Sequence, residues 1–540
     1  MILAYSFFVG LFVTIFAIAL LARVAARLGI VDIPGPRKIH SLPIPRIGGV
    51  AIASSVIIAI LLWVPIETKF GAFILGSLVI VAVGIWDDIV ELNYKLKLLG
   101  QSAGIILLLV GGVHFTNLPF LGLEPVSKFI SYPITFIFLL GVTNAFNLFD
   151  GLDGLAGGCI GLSIAAIALL AVAGSDALLP IICLALIGGL LGFLRFNTYP
   201  AIVFMGDAGS QFLGFAAGFL SIQLVTQVSP AISPAFPILV LGLPLLDTVS
   251  VTIRRLLQRR SPFKGDRQHL HHRLLARGLS HAQTVSVLYA IQIAVVISAH
   301  FSRFESDAVV LALFALFGLI VFAPLYAAEK SGVTFSSQKT FTLANSSARL
   351  SQRAALLAKH GPIVTACLVS TFLVAGSLFA PSASRDVALL SISVALVAAL
   401  GILVLRTRRL FFYRLCAYCA CAVICFLLIR GGANATVWDN WQVNLFLAGL
   451  GAVVILCLSF ARSEGFQLSP QDLLMLILVV TVPNLDVTAY IQFPLGIFLL
   501  QVSLLFYAIE FALTAPIRWR ISVPIAAICS LLAVAAIANF

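Results

Sequence analysis

Charge is what this sequence has least of. Across 540 residues only 10% are Asp, Glu, Lys or Arg, while 61% are hydrophobic, and the mean hydropathy of +1.12 lies far outside the range of soluble globular chains. The net charge of +12 does not point to nucleic acid, because the basic residues sit in short segments between apolar runs, where they read as topology signals. The nine cysteines fall mostly inside such runs, Cys416, Cys419 and Cys421 among them. Small buried apolar residues are the economical account of them, ahead of a metal or disulfide site. The first run, Ile2 to Leu21, lacks a basic residue before it and a small-residue cleavage pattern before Arg23 and Arg27, so it reads as a retained span and not a signal peptide.

What is present in abundance is apolar length. Runs of about 17 to 25 residues recur throughout, the length a helix needs to cross roughly 30 Å of hydrocarbon. Helices must carry them, since backbone polar groups in lipid are satisfied only within a helix or a closed barrel. The expected fold is therefore all-α and polytopic. About eleven spans fall at 2–21, 48–65, 71–86, 98–113, 129–147, 155–173, 178–195, 209–226, 236–253, 284–300 and 308–327. Residues 1–328 form one module, 329–360 a polar cytoplasmic linker, and 361–540 a second module of about seven spans with no interpretable motif. No internal repeat relates the two modules.

Lys and Arg alternate between the gaps. One set holds Arg23, Arg27, Arg37, Lys38, Arg46, Lys95, Lys97, Arg195 and the basic run from Arg254 to Arg277; the other holds little beyond Lys69, Lys128 and Arg303. By the positive-inside rule the amino terminus is outside and the basic loops are cytoplasmic.

The rare polar residues choose that same side. Asp87 and Asp88 end the third span; Asn144, Asn147, Asp150 and Asp153 end the fifth; Asn197, Asp207 and Ser210 lie between the seventh and eighth; His269, His271 and His272 follow the ninth. A single acid at a helix end marks only the water boundary. This set needs more, because acids outnumber bases locally in WDD and FDGLDG and their repulsion must be offset by a cation. Clustered carboxylates suit Mg²⁺, or Mn²⁺, better than zinc, and Mg²⁺ is normally shared between one or two carboxylates and substrate phosphates. Glycines flank the acids in FDGLDGLAGG and FMGDAGSQFLG, allowing backbone amides and a helix amino terminus to approach a diphosphate. Asp247, within the ninth span, is costly at membrane depth and so is functional or paired, with a partner that sequence does not name.

The strings DIPGPRKIHSLPIPRIGG, GIWDD with KLKLLGQ, NAFNLFDGLDGLAGG, FNTYPAIVFMGDAGS, PLLDT and DRQHLHH occur in this order. Together they resemble the polyprenyl-phosphate N-acetylhexosamine-1-phosphate transferase family over about residues 1–328. Within it, His269-x-His271-His272 is more similar to the bacterial undecaprenyl-phosphate N-acetylglucosamine-1-phosphate transferases than to the phospho-MurNAc-pentapeptide translocases.

The resemblance implies attack by a lipid phosphate oxygen on the β-phosphorus of a UDP-sugar, with release of UMP, at the cytoplasmic face of a bacterial inner membrane. It implies catalytic roles for Asp87, Asp88, Asp207, His271 and His272, with Asp207, Asp150 and Asp153 as metal ligands. Substrate contacts are expected from Lys38, Lys97, Asn147, Asp150, Asp153, Asn197, Phe204, Arg267, His269 and Arg273, with Phe204 placed to stack on uracil. Lys38, Lys95 and Lys97 are candidates for the lipid phosphate. A phosphate monoester is largely ionised at neutral pH, its second pKa being about 6, so positioning and metal support rank above obligatory proton removal by Asp87. The expected partners are the nucleotide sugar and undecaprenyl phosphate, with a homodimer as a further possibility. A UDP-MurNAc-peptide is the alternative donor. A transporter or flippase is the rival from another class, which would place acids near the midplane with repeat symmetry.

Overall fold

In a computed structural model, residues 2–33, 43–120, 126–174, 178–259, 261, 268–332, 348–404, 409–430, 440–460 and 495–537 are described. They are almost entirely helical, the one sheet among them being a two-stranded antiparallel pair, Val31–Asp32 with Ile44–Pro45. Eleven of the described helices are long and apolar enough to cross a bilayer, so the protein is an all-α, multi-pass membrane protein. The chain divides into two compact units at Gln338 and Lys339.

The first unit contains α1 (Ile2–Val24), α2 (Gly48–Trp63), α3 (Thr68–Val90), α4 (Tyr94–Val110), α5 (Lys128–Phe149), α6 (Leu155–Ala173), α7 (Leu178–Asn197), α8 (Gly206–Gln223, prolonged by a π-helical turn to Val228), α9 (Phe236–Val240), α10 (Gly242–Leu257), α11 (Leu270–Ala276), α12 (His281–Phe301) and α13 (Asp307–Lys330). Each apolar run expected before residue 328 coincides with one of these helices, except the ninth. That run is split at Leu241 into α9 and α10. A broken helix inside a membrane must find partners for its freed backbone groups. Here the Val240 carbonyl accepts from Ser163 at 2.8 Å and from Gln292 at 3.1 Å, and the Leu243 amide donates to Gln292 at 3.2 Å.

Close approach between helices sets the position of α8, whose residues from Ala208 to Gln223 are all buried. Gly49 of α2 lies against Gly209, and Gly84 of α3 against Ala208, so tightly that a Cβ at either glycine would overlap the α8 backbone. Small residues permit such approach where lipid provides no hydrophobic drive between helices.

The second unit contains α14 (Ala348–Phe379), α15 (Arg385–Val404), α16 (Arg409–Arg430), α17 (Asn440–Phe460), α18 (Leu495–Ala512), α19 (Ile517–Arg520) and α20 (Ser522–Ala536). The expectation of seven spans there falls partly on 461–494, outside the described residues. The polar stretch 329–360 is not a linker along its whole length: α13 reaches Lys330 and α14 begins at Ala348. Residues 348–360 are rich in Ala and Leu, strong helix formers that extend the following span into the polar segment. Cys416, Cys419 and Cys421 are buried free thiols. On the same helix Arg414 pairs with Glu510 of α18 at 2.8 Å, and Tyr418 donates to the same carboxylate.

Candidate active site

The carboxyl ends of α3, α5 and α7 and the amino ends of α4, α6 and α8 carry the polar residues. They surround a cleft of about 320 Å³ lined by Asp32, Arg46, Asp88, Asn147, Asp150, Gly151, Leu152, Asp153, Asn197, Phe204, Met205, Gly206, Asp207 and Ser210.

Lys97, near the start of α4, is the cationic pivot. Its ammonium lies 2.5 Å from Asp87 and 3.4 Å from Asp207. Asp207 also accepts from Asn147, which donates in addition to Ser210 at 2.9 Å. One turn further into the protein the same three helices contribute a second polar layer. Gln101 (Lys97 + 4), Gln211 (Asp207 + 4) and Asn144 (Asn147 − 3) are placed on the same helix faces by the 3.6-residue repeat. Gln101 donates to Gln211 at 3.1 Å and accepts from Asn144 at 2.7 Å. This amide layer ties α4, α5 and α8 together directly beneath the charged one.

Asp88 does something different from its neighbour. Its two carboxylate oxygens accept the backbone amides of Asp207 at 2.9 Å and Ala208 at 3.2 Å. The expected anion-ready amino terminus of the FMGDAGS helix is therefore already capped by a carboxylate of this chain, the stabilising placement for a negative charge. Asp88, which also lines the cleft, thus holds the start of α8 and with it Asp207. Gly206, with φ +75, is in the left-handed region, and a side chain there would run into Asp88. Arg46 pairs with Asp32 and reaches 3.8 Å from Asp88. Its segment crosses the α8 entry loop, with hydrogen bonds from Phe204 to Pro45 (2.8 Å), Gly48 to Phe204 (3.0 Å) and Gly49 to Met205 (2.9 Å).

The FDGLDG loop is held from three sides. Asn197 accepts the Gly154 amide at 2.9 Å and donates to the Val203 carbonyl at 3.0 Å. Asp153 accepts the Ala201 amide at 2.9 Å, and the buried Tyr289 hydroxyl donates to the Gly154 carbonyl at 2.6 Å. Asn197, expected to contact the nucleotide, thus has both ends of its amide engaged with backbone. Loss of solvation, with repulsion from Asp207, Asp153 and Asp88, pushes the Asp150 carboxyl up to about 7.

The histidines divide. His271 is buried, packs so closely on Gly151 that a side chain there would overlap the ring, and has no hydrogen-bond partner among the described residues on either nitrogen. Burial, reinforced by its neighbours His272 and His269, pushes its pKa down to about 3, so the ring is neutral at physiological pH. His272 lies 4.2 Å from it, ring centre to ring centre. His269 instead donates to Asp247 at 2.9 Å. Arg273, expected on the substrate, is buried and doubly hydrogen-bonded to Glu329 at 2.7 and 3.2 Å, with its guanidinium over Phe322. Its charge is committed to α13. Lys38 and Arg267 lie outside the described residues.

Among the described residues no three His, Cys, Asp or Glu side chains are gathered as a metal-binding group. Mg²⁺ needs no such group, since it takes one or two carboxylates and completes its shell with water and phosphate. The repulsion felt by Asp150 and the half-exposed carboxylate of Asp207 make this pair the fitting donors.

Sequence reasoning passed over Arg46 as a topology signal and missed Asp32, Tyr289 and the second-layer role of Gln101 and Gln211. The strings DIPGPRKIHSLPIPRIGG and KLKLLGQ contained Asp32, Arg46 and Gln101; nothing local marked Tyr289 as a support of the FDGLDG loop.

The protein is thus a multi-pass helical membrane protein with an acidic, glycine-bordered cleft where the ends of its helices meet. The sequence profile described as Glycosyl transferase family 4 matches residues 70–225. A probable undecaprenyl-phosphate N-acetylglucosaminyl 1-phosphate transferase of Bacillus subtilis is 37% identical over 340 residues, 62% of this chain and 94% of that protein. Undecaprenyl-phosphate alpha-N-acetylglucosaminyl 1-phosphate transferases of Escherichia coli K12 and Salmonella typhi are 30% and 31% identical over 318 residues, 57% of this chain and 86% of theirs. The chain belongs to glycosyl transferase family 4.

Proposed function

We propose that the first unit transfers N-acetylglucosamine 1-phosphate from UDP-N-acetylglucosamine to undecaprenyl phosphate, releasing UMP, at the cytoplasmic face of a bacterial inner membrane. The observation that carries this reading is the gathering of Lys97, Asp87 and Asn147 around Asp207, which lines one cleft with Asp150, in a chain whose relatives are named undecaprenyl-phosphate N-acetylglucosaminyl 1-phosphate transferases.

The reaction exchanges one phosphoanhydride for another, so its demand is for alignment and neutralisation of two anions. Asp207 and Asp150 would hold Mg²⁺, which when bound supplies positive charge to the diphosphate. Lys97, held between Asp87 and Asp207, presents an ammonium to the attacking lipid phosphate. Phe204 lines the cleft where a uracil would enter. His271, neutral and facing the acidic loop, can donate one hydrogen bond to a phosphate oxygen without the cost of burying a cation. Asp87 positions Lys97; the acceptor phosphate arrives ionised.

Purified protein incubated with UDP-[¹⁴C]GlcNAc, undecaprenyl phosphate and Mg²⁺ should yield label extractable into butanol, and EDTA should abolish it. Labelled lipid from UDP-MurNAc-pentapeptide but not from UDP-GlcNAc would replace the donor. Absence of lipid product from either would reject the reading.

A further inference from the structure

Asp247 lies on α10 with 1% of its surface exposed, and no step of the transfer uses it. Its surroundings show what it holds. One carboxylate oxygen accepts from His269 Nδ1 at 2.9 Å, and the other accepts the Leu270 amide at 2.8 Å. Those are the residue preceding α11 and its first residue. One carboxylate thus grips the start of the short helix by side chain and by backbone, and His271 is the next residue along. Asp247 is itself fixed: the break before α10 is closed by Ser163 of α6 and Gln292 of α12, which take up the freed Val240 carbonyl and Leu243 amide. His271 meets Gly151 by packing, and neither ring nitrogen has a hydrogen-bond partner among the described residues, so no hydrogen bond of its own holds the ring in place.

We propose that Asp247 is a positioning residue: through His269 and the Leu270 amide it sets the place of His271 against the acidic loop that carries Asp150 and Asp153. The consequence for turnover rests on the function proposed above; the consequence for His271 placement does not.

Two readouts on the full-length protein separate them. The first is labelling by diethyl pyrocarbonate followed by peptide mass analysis. Asp247→Ala should expose His271 and raise its labelling severalfold, while His300, buried on α12, stays protected. Unchanged labelling at His271, or loss of protection at His300 as well, overturns the proposal whatever the enzyme does. The second is a double-mutant cycle in the transfer assay. Asp247→Ala should lower kcat about 10²-fold, the scale of a 1 Å misplacement of a reacting group, with little change in KM, and should add nothing to His271→Ala. Multiplying losses, or wild-type kcat in Asp247→Ala, contradict it. Should the alanine variant not be recovered, Asp247→Asn keeps an acceptor for the Leu270 amide and is predicted to show the same signs in weaker form; wild-type labelling and kcat there overturn the proposal. Inactivity of the wild-type protein with unchanged labelling predictions would reject the function and leave the positioning intact.

Discussion

Replacing Lys97 with Met leaves the Asp87 carboxylate, 1% exposed, without its cation. At 2.5 and 3.4 Å from Asp87 and Asp207, the ammonium gains about 7 and about 5 kcal/mol of gross attraction at an effective dielectric near 20. Most of that is offset by desolvation. The net quantity is the penalty for stranding a buried charge, about 3–5 kcal/mol, and the 28% exposure of Lys97 draws it to the lower end, about 3 kcal/mol. Asp87→Asn in the same chain removes the stranded charge, so Lys97→Met/Asp87→Asn should recover most of the loss. Transfer should stay down about 10²–10³-fold in both variants, as for other lost electrostatic contacts to a reacting group. Equilibrium unfolding in mixed micelles measures the first effect and UMP release the second. A Lys97→Met protein as stable as wild type, or one that Asp87→Asn fails to restore, would refute the pairing argument. Full activity in the double variant would refute the role of Lys97 at the acceptor phosphate.

Asp207→Asn should lower transfer at least about 10²-fold, and because the lost carboxylate both repels Asp150 and pairs with Lys97, the protein should still insert and be recovered; full activity would contradict the site. Asp150, ordinarily near 3.8 and here about 7, keeps in the folded state a proton that the unfolded chain releases. Stability without metal should therefore fall as pH rises from about 4 to about 7, and Mg²⁺ should raise the melting temperature more at about pH 8 than at about pH 5.5. An equal shift at both would count against Asp150 as a donor. Gln101→Leu removes the partner of Gln211 and Asn144 and should cost about 1–3 kcal/mol, with a fall in kcat as Lys97, Asn147 and Asp207 lose alignment; unchanged kcat would show that the amide layer does not align them.

Helices in the first unit were legible because each apolar run is long enough to span and is bounded by polar residues. The acids were legible because they are rare and stand at helix ends. What sequence could not distinguish is the division of labour between Asp87 and Asp88: neighbours on a helix point about 100° apart, so one faces Lys97 of α4 and the other the α8 backbone. Partners far along the chain were equally out of reach. Arg273 finds Glu329, 56 residues away, and Asp247 finds His269, 22 residues away, and in neither pair does one helix join the two residues. The break at Leu241 was hidden because its flanks are as apolar as an unbroken span, and its compensation comes from Ser163 and Gln292 on other helices.

The central claim is that the bond broken lies between the two phosphorus atoms of the donor and not between phosphate and sugar. UDP-GlcNAc labelled with ³²P at the β-phosphate, incubated with the purified protein, Mg²⁺ and undecaprenyl phosphate, reports this directly. The account predicts UMP and labelled lipid in equal amounts, with all the β-label in the lipid. Release of labelled UDP, with the sugar alone on the lipid, would contradict it.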